Sequence, residues 1–176
     1  TQLKNFLEKS KLNSPNHDII SAIESFEKHI AFDIGSYVHH RSWGIGEISD
    51  LDDEYMVIDF PSKSAHRMSL NMAISSLIVL HQDHIWVLKQ REPEKLKDQS
   101  EEGITHILKV FFKSHNNEAY MKELKAELVD DIISQKDWTK WWAKAKKIIK
   151  TSDMFGHSPS IKDLYFLRDK PLTYEE

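Results

Sequence analysis

The chain has 176 residues, a formal charge of −4 and no cysteine, which excludes a secreted disulfide scaffold and thiolate metal sites and leaves room for one domain or two small ones. Hydrophobic residues make up 40% and charged residues 30%, so a core can be buried and global disorder is excluded. The longest apolar runs, such as Met72 to Leu80, are broken by serines and fall well short of the roughly 20 residues that span a bilayer. With no charged-then-apolar leader at the N-terminus, these features predict a cytoplasmic protein without a membrane partner. A chain that opens on Thr1 and closes on Tyr174, Glu175 and Glu176 reads as a segment of something longer. The acidic balance makes no overall case for nucleic-acid binding and leaves only a local basic face for it.

Leu3, Phe6 and Leu7 keep helical spacing, and Ile19, Ile20, Ile23, Phe26 and Ile30 keep it again, with Ser14 before Pro15 as an N-cap and first-turn proline. Residues 1–32 are therefore expected to form two antiparallel helices. From Gly35 to Phe60 the pattern changes to β-branched and aromatic runs punctuated by Gly35, Gly44 and Gly46, the mark of a chain folding back on itself in short strands. Asp50, Asp52, Asp53 and Glu54 supply a polar hairpin connection. Tyr55 to Phe60, His66 to Leu70 and Ile78 to Leu80 supply further strands, and residues 33–81 read as a small SH3-like or Tudor-like β-barrel.

Residues 82–176 read as a helical region with a short extended tail. Ile104, Ile107, Leu108, Phe111 and Phe112 draw one apolar stripe, and Asn117 is expected to open a helix carrying Tyr120, Met121, Leu124 and Leu128. In the last strong helix, Trp138, Trp141, Trp142, Ala145, Ile148 and Ile149 fall on one side while Lys140, Lys144 and Lys147 point the other way. Ser134 and Asp137 are the expected capping pair at its start. Ile161 to Arg168 fits a strand or extended segment, and Pro171 limits any helix beyond it. The fold class is α+β, a barrel between an N-terminal helical hairpin and a C-terminal helical region.

Ten histidines invite a metal hypothesis. Spacing argues against it, because His39 and His40 point to opposite faces of a strand and His81 with His84 has no third ligand. Gly44-Ile-Gly46 has no third glycine and no following helix, which makes it a turn rather than a dinucleotide loop. With no cysteine and no Gly-x-Ser-x-Gly elbow there is no nucleophile arrangement. No catalytic residue, metal, cofactor or small-molecule substrate is expected. Tyr37, Trp43, Tyr55 and Phe60 are the residue types of a methylammonium cage, although core packing explains them more simply. Trp43, in a loop between Ser42 and Gly44, is the aromatic least claimed by the core and with Arg41 is a candidate partner contact. Lys140, Lys144 and Lys147 are either the soluble face of a packed helix or a weak phosphate-contacting surface.

Gly35, Tyr37, Val38, His39, Gly44, Ile45, Gly46 and Ile48, followed by Val57-Ile-Asp-Phe60, resemble the Tudor-like RNA polymerase-interaction module of CarD-type regulators and the transcription-repair coupling factor; a similar barrel ends some UvrD-type helicases. Trp138-Thr-Lys-Trp-Trp-Ala-Lys-Ala-Lys-Lys147 and Tyr165-Phe-Leu-Arg-Asp169 resemble a segment in the long N-terminal extensions of some GreA/GreB-family elongation factors, as in spirochaetes. Together the two matches cover about half the chain. They imply a non-catalytic module that docks on bacterial RNA polymerase, in CarD-type proteins by strand addition, with Tyr37, His39, Arg41, Trp43 and Arg67 at the candidate contact positions. Neither a CarD-type DNA-wedging domain nor the Gre coiled coil with its acidic tip is recognisable. The competing readings are an accessory nucleic-acid-contacting domain of a helicase or repair enzyme, and a plain structural scaffold.

Overall fold

A computed structural model describes residues 31–168. The expected N-terminal helical hairpin, up to residue 30, and the tail from residue 169 lie outside the described residues. The chain divides into two compact units, with the boundary between Gln82 and Asp83.

In the first unit, five antiparallel strands follow in order: β1 (Tyr37–His40), β2 (Gly44–Leu51), β3 (Tyr55–Phe60), β4 (Lys63–Ser69) and β5 (Leu77–Leu80), with helix α1 (Leu70–Ser76) between the last two. Burial along β3 alternates, with Met56, Ile58 and Phe60 inside and Tyr55 and Asp59 outside, as a period of two on a half-buried sheet requires. The sheet runs β4-β3-β2-β1-β5. No ladder joins β4 to β5, so hydrogen bonding does not close the sheet into the expected barrel. Two register shifts bend it, between Ile48 and Asp50 on β2 and between Ile58 and Phe60 on β3.

Local chemistry explains the turns. Gly44 ends the β1–β2 connection at a φ of +75°, in the left-handed region open to glycine. Asp52 Oδ1 accepts from the backbone N–H of Glu54 and of Tyr55, each at 2.7 Å, which makes the acidic hairpin a self-capped turn. Ser69 caps α1 through the N–H of Met72 at 3.4 Å. That helix was not foreseen, since Leu70 reads equally well as the end of a strand. Val38, Ile48, Met56, Ile58, Met68, Ala73 and Leu77 form the core of this unit.

The second unit holds α2 (Ile85–Arg91), α3 (Pro93–Glu102), α4 (Ile104–Ser114), β6 (Glu118–Tyr120), α5 (Met121–Leu128), α6 (Trp138–Thr151), β7 (Phe155–His157) and β8 (Leu164–Leu167). The strands form an antiparallel sheet in the order β6-β8-β7. Asn117 does not open a helix. It adopts a φ of +67° and is followed by β6, and the helix starts only at Met121, after the Glu123 carboxylate accepts from the Tyr120 N–H at 2.8 Å. The expected extended tail is β8, the centre of the small sheet. Gly156 on β7 makes room for the ring of Phe166, which would lie 2.5 Å from an added Cβ. The apolar stripe of α4 packs with Leu124, Leu128, Trp138, Trp141, Trp142, Ala145, Ile149 and Phe155 as a second core.

Candidate binding surfaces

On the first unit the candidate residues are spread over the sheet: Arg41 and Trp43 lie in the turn after β1, Tyr37 and His39 on β1 itself, and Arg67 on β4. The turn after His40 folds Trp43 back on the core, where its ring stacks on His40 at 4.0 Å and 16°. His66 of β4 meets the same ring edge-on at 4.5 Å, Phe60 lies at 5.5 Å, and the Lys63 ammonium stands 4.4 Å from its centroid. Gly46 allows this packing, because a Cβ there would come within 2.6 Å of Ile58 and 2.7 Å of Phe60. Trp43 is thus half-buried and claimed by its neighbours, contrary to its reading as a loose loop aromatic. A cage of Tyr37, Trp43, Tyr55 and Phe60 is not assembled. Tyr37 donates to Glu47 at 3.0 Å, and Tyr55 lies 4.1 Å under the Arg67 guanidinium.

Burial lowers the pKa of His40 below its ordinary 6.5, with Arg41, His39 and Lys63 adding to the shift. His66 is lowered for the same first reason, helped by Lys63 and His40. Both imidazoles are therefore favoured neutral in the fold. Asp59 is lowered chiefly by the Ala65 N–H, which donates to its Oδ1 at 2.7 Å, and then by Ser49. Among the described residues no group of three histidine, aspartate or glutamate side chains could hold a metal ion.

Strand β1, which carries Tyr37 and His39, is paired on both sides, to β2 and to β5. Its main chain has no free edge to offer. Among the described residues the edges are β4, which carries Arg67, and β5, where Ile78 is 59% exposed. Arg41 is exposed in the turn beside Trp43.

On the second unit, α6 buries Trp138, Trp141, Trp142, Ala145 and Ile149 and exposes Lys140, Lys144 and Lys147. Trp138 stacks on Trp141 and Trp142 at 5.6 and 5.8 Å, and the Trp141 indole donates to the Ser100 carbonyl at 2.8 Å. Ser134 and Asp137 hydrogen-bond to one another just before the helix, but Asp137 stands at the N-cap position and no side chain caps the helix there. The exposed face also holds Lys146 and Lys150, which the sequence reading passed over although they fall on the same polar arc. Lys140 and Lys144 line a groove of about 370 Å³ together with Glu101, Glu102 and Asp137. Elsewhere in the unit, Lys89 ties α2 to α5, with its ammonium 2.7 Å from Glu127 and 2.6 Å from Asp131, and Trp86 donates to Glu127 at 2.9 Å. Burial works against the charge on Lys89. The hydrogen bonds of Asp131 and Glu127 nevertheless raise its pKa above the ordinary value.

Residues 86–172 match the GRAD helix-turn-helix domain. Over 177 aligned residues the chain is 40% identical to a GreA-associated domains protein of Treponema pallidum, covering 100% of this chain and 27% of that protein. It is 31% identical over 175 residues to a transcription elongation factor GreA of Borreliella burgdorferi, covering 99% of this chain and 19% of the relative. A GreA of Chlamydia pneumoniae is 29% identical over 139 residues, 77% of this chain and 19% of its own. The chain thus spans about a quarter or less of the length of these relatives. No solved structure matches it. No helix among the described residues is long and apolar enough to cross a membrane. These similarities support a GreA-associated accessory region.

Proposed function

We propose that this chain is a non-catalytic, cytoplasmic binding region of a bacterial transcription elongation factor and that it docks on RNA polymerase through its first unit, a Tudor-like module in its strand order. The observation that carries the reading is the similarity along nearly the whole chain to proteins named for GreA. The resemblance of Gly35 to Phe60 to polymerase-interaction modules supplies the partner. Docking by strand addition draws affinity from backbone hydrogen bonds and specificity from a few flanking side chains.

That mode needs a strand edge, which β1 lacks. Of the two edges, β4 spans Lys63–Ser69 and β5 only Leu77–Leu80, with Leu77 and Leu80 buried. Lys63 and Arg67 are exposed on β4, with His66 and Trp43 beside them. The partner strand accordingly adds along β4, Arg67 reads an acidic or aromatic group on it, and Arg41 flanks the contact. Tyr37 and His39 act behind the edge by holding the sheet, and Trp43 holds the corner from which Lys63 projects.

Co-purification of the full chain with RNA polymerase from a cell that carries it tests both parts. Retention is expected for wild type and for Ile78→Lys on the β5 edge, with loss for the double variant Arg41→Ala, Arg67→Glu that circular dichroism shows to be folded. Loss in Ile78→Lys with retention in the double variant would move the contact to β5. A wild-type chain that does not retain polymerase at all would remove the docking reading.

A further inference from the structure

The exposed face of α6 bears charge of one sign. Over fourteen residues, Trp138–Thr151, the helix carries Lys140, Lys144, Lys146, Lys147 and Lys150 and no acidic residue, within a chain whose overall charge is −4. At 1.5 Å per residue the lysines lie along about 15 Å of helix. Near the middle of the face stands Ala143, small and exposed, so a surface can approach the backbone there.

The position of this helix in the topology bears on what that surface is. Strand β6, helix α5, a turn and helix α6 are followed at once by the β7–β8 hairpin, whose second strand pairs back onto β6. The unit is a helix-turn-helix carrying a β-hairpin, consistent with the helix-turn-helix family match over 86–172. In that arrangement the second helix of the pair is the one whose outer face is open to a groove. The hairpin connection adds exposed Lys162.

We infer that α6 and the β7–β8 hairpin form a duplex DNA surface that contacts phosphates without reading base sequence, and that Lys146, Lys147 and Lys150 are its principal cations. Base edges in the major groove are read by bidentate pairs from arginine, lysine, asparagine and glutamine. Of these only lysine occurs on α6 between residues 138 and 151, and its ammonium is a point charge on a flexible stem rather than a planar fork, so the contact is positional rather than specific. Lys140 and Lys144 share their groove with Glu101, Glu102 and Asp137, which offset their field locally. Lys147 and Lys150 lie outside that lining, and so does Lys146, which stands 5.9 Å from the Trp142 ring. A helix also fits the major groove of B-form DNA, about 12 Å wide, whereas the deep, narrow groove of duplex RNA does not admit side chains. The inference is independent of polymerase docking.

Fluorescence anisotropy of the full chain with labelled 20-base-pair DNA duplexes of unrelated sequence tests it. Equal affinity across sequences is expected, falling about 40-fold between 50 and 200 mM salt for three neutralised phosphates. The triple variant Lys146→Gln, Lys147→Gln, Lys150→Gln should lose most of that affinity, and the double variant Lys140→Gln, Lys144→Gln much less, with circular dichroism unchanged in both. Affinity that does not respond to salt, or a triple variant that binds like wild type, would overturn the proposal. So would polyglutamate displacing the duplex as well as unlabelled DNA does, since the face would then fit an acidic protein.

Discussion

At the scale of single residues, the corner around Trp43 connects sequence to pH behaviour. His40 stacks on the Trp43 ring and His66 meets the same ring edge-on, and the groups facing them are Arg41, His39 and the Lys63 ammonium. Burial comes first among the causes that lower both pKa values, and the cations add to it. A histidine with a folded pKa below its unfolded value binds fewer protons in the native state, so stability rises with pH through that window. The stabilising contribution is complete above about 6.5 and is lost as the pH falls through the lowered folded values. The melting temperature of the first unit should therefore drop between pH 7.5 and 5.5. The double variant His40→Gln, His66→Gln should flatten that dependence, and an equally steep fall in the variant would locate the titration elsewhere. Little of this corner was legible beforehand: Gly46 and Phe60 are adjacent only because β2 and β3 pair, and the stacking of His40 on Trp43 depends on a turn three residues long.

Among elements, α6 gave the clearest sequence signal and the structure divides it as its periodicity implies, with tryptophans inside and lysines outside. Trp141 is buried, stacks on Trp138 and satisfies its indole N–H on the Ser100 carbonyl. Its truncation removes packing and strands a buried acceptor together. Trp141→Ala should cost roughly 3–5 kcal/mol, while each exposed lysine changed to glutamine should shift stability by no more than about 0.5 kcal/mol. Chemical denaturation of both sets checks the contrast. A Trp141 variant as stable as the lysine variants would mean the tryptophan side is not core. The short elements were read less well, for physical reasons. Strand β6 has three residues and is held by its pairing to β8, more than forty residues on. Helix α1 depends on the Ser69 cap and on Ala73 and Leu70 finding the sheet core. Such contacts are long-range, and local periodicity carries no trace of them.

For the molecule as a whole, each unit holds an apolar core of its own: Val38, Ile48, Met56, Ile58 and Met68 in one, and Ile107, Leu108, Phe111, Leu128, Trp138 and Phe155 in the other. The sequence changes from period-two strands to helical stripes near residue 82, two different ways of burying a face. That the sheet stays open between β4 and β5 was not legible, since it depends on where those strands end relative to one another rather than on their composition. A core supplied entirely from one side of a boundary predicts that the segment folds without the other. We therefore expect residues 83–176, produced alone, to melt cooperatively and to keep the near-ultraviolet dichroism of the stacked Trp138, Trp141 and Trp142. The three-stranded sheet is also complete within that segment, since β6, β8 and β7 all follow Asp83 and no backbone pairing of theirs would be cut. A broad, non-cooperative melt with the tryptophan signal lost would mean that the core from Ile85 to Phe155 draws stability from residues before Asp83, and the proposed boundary would have to be redrawn.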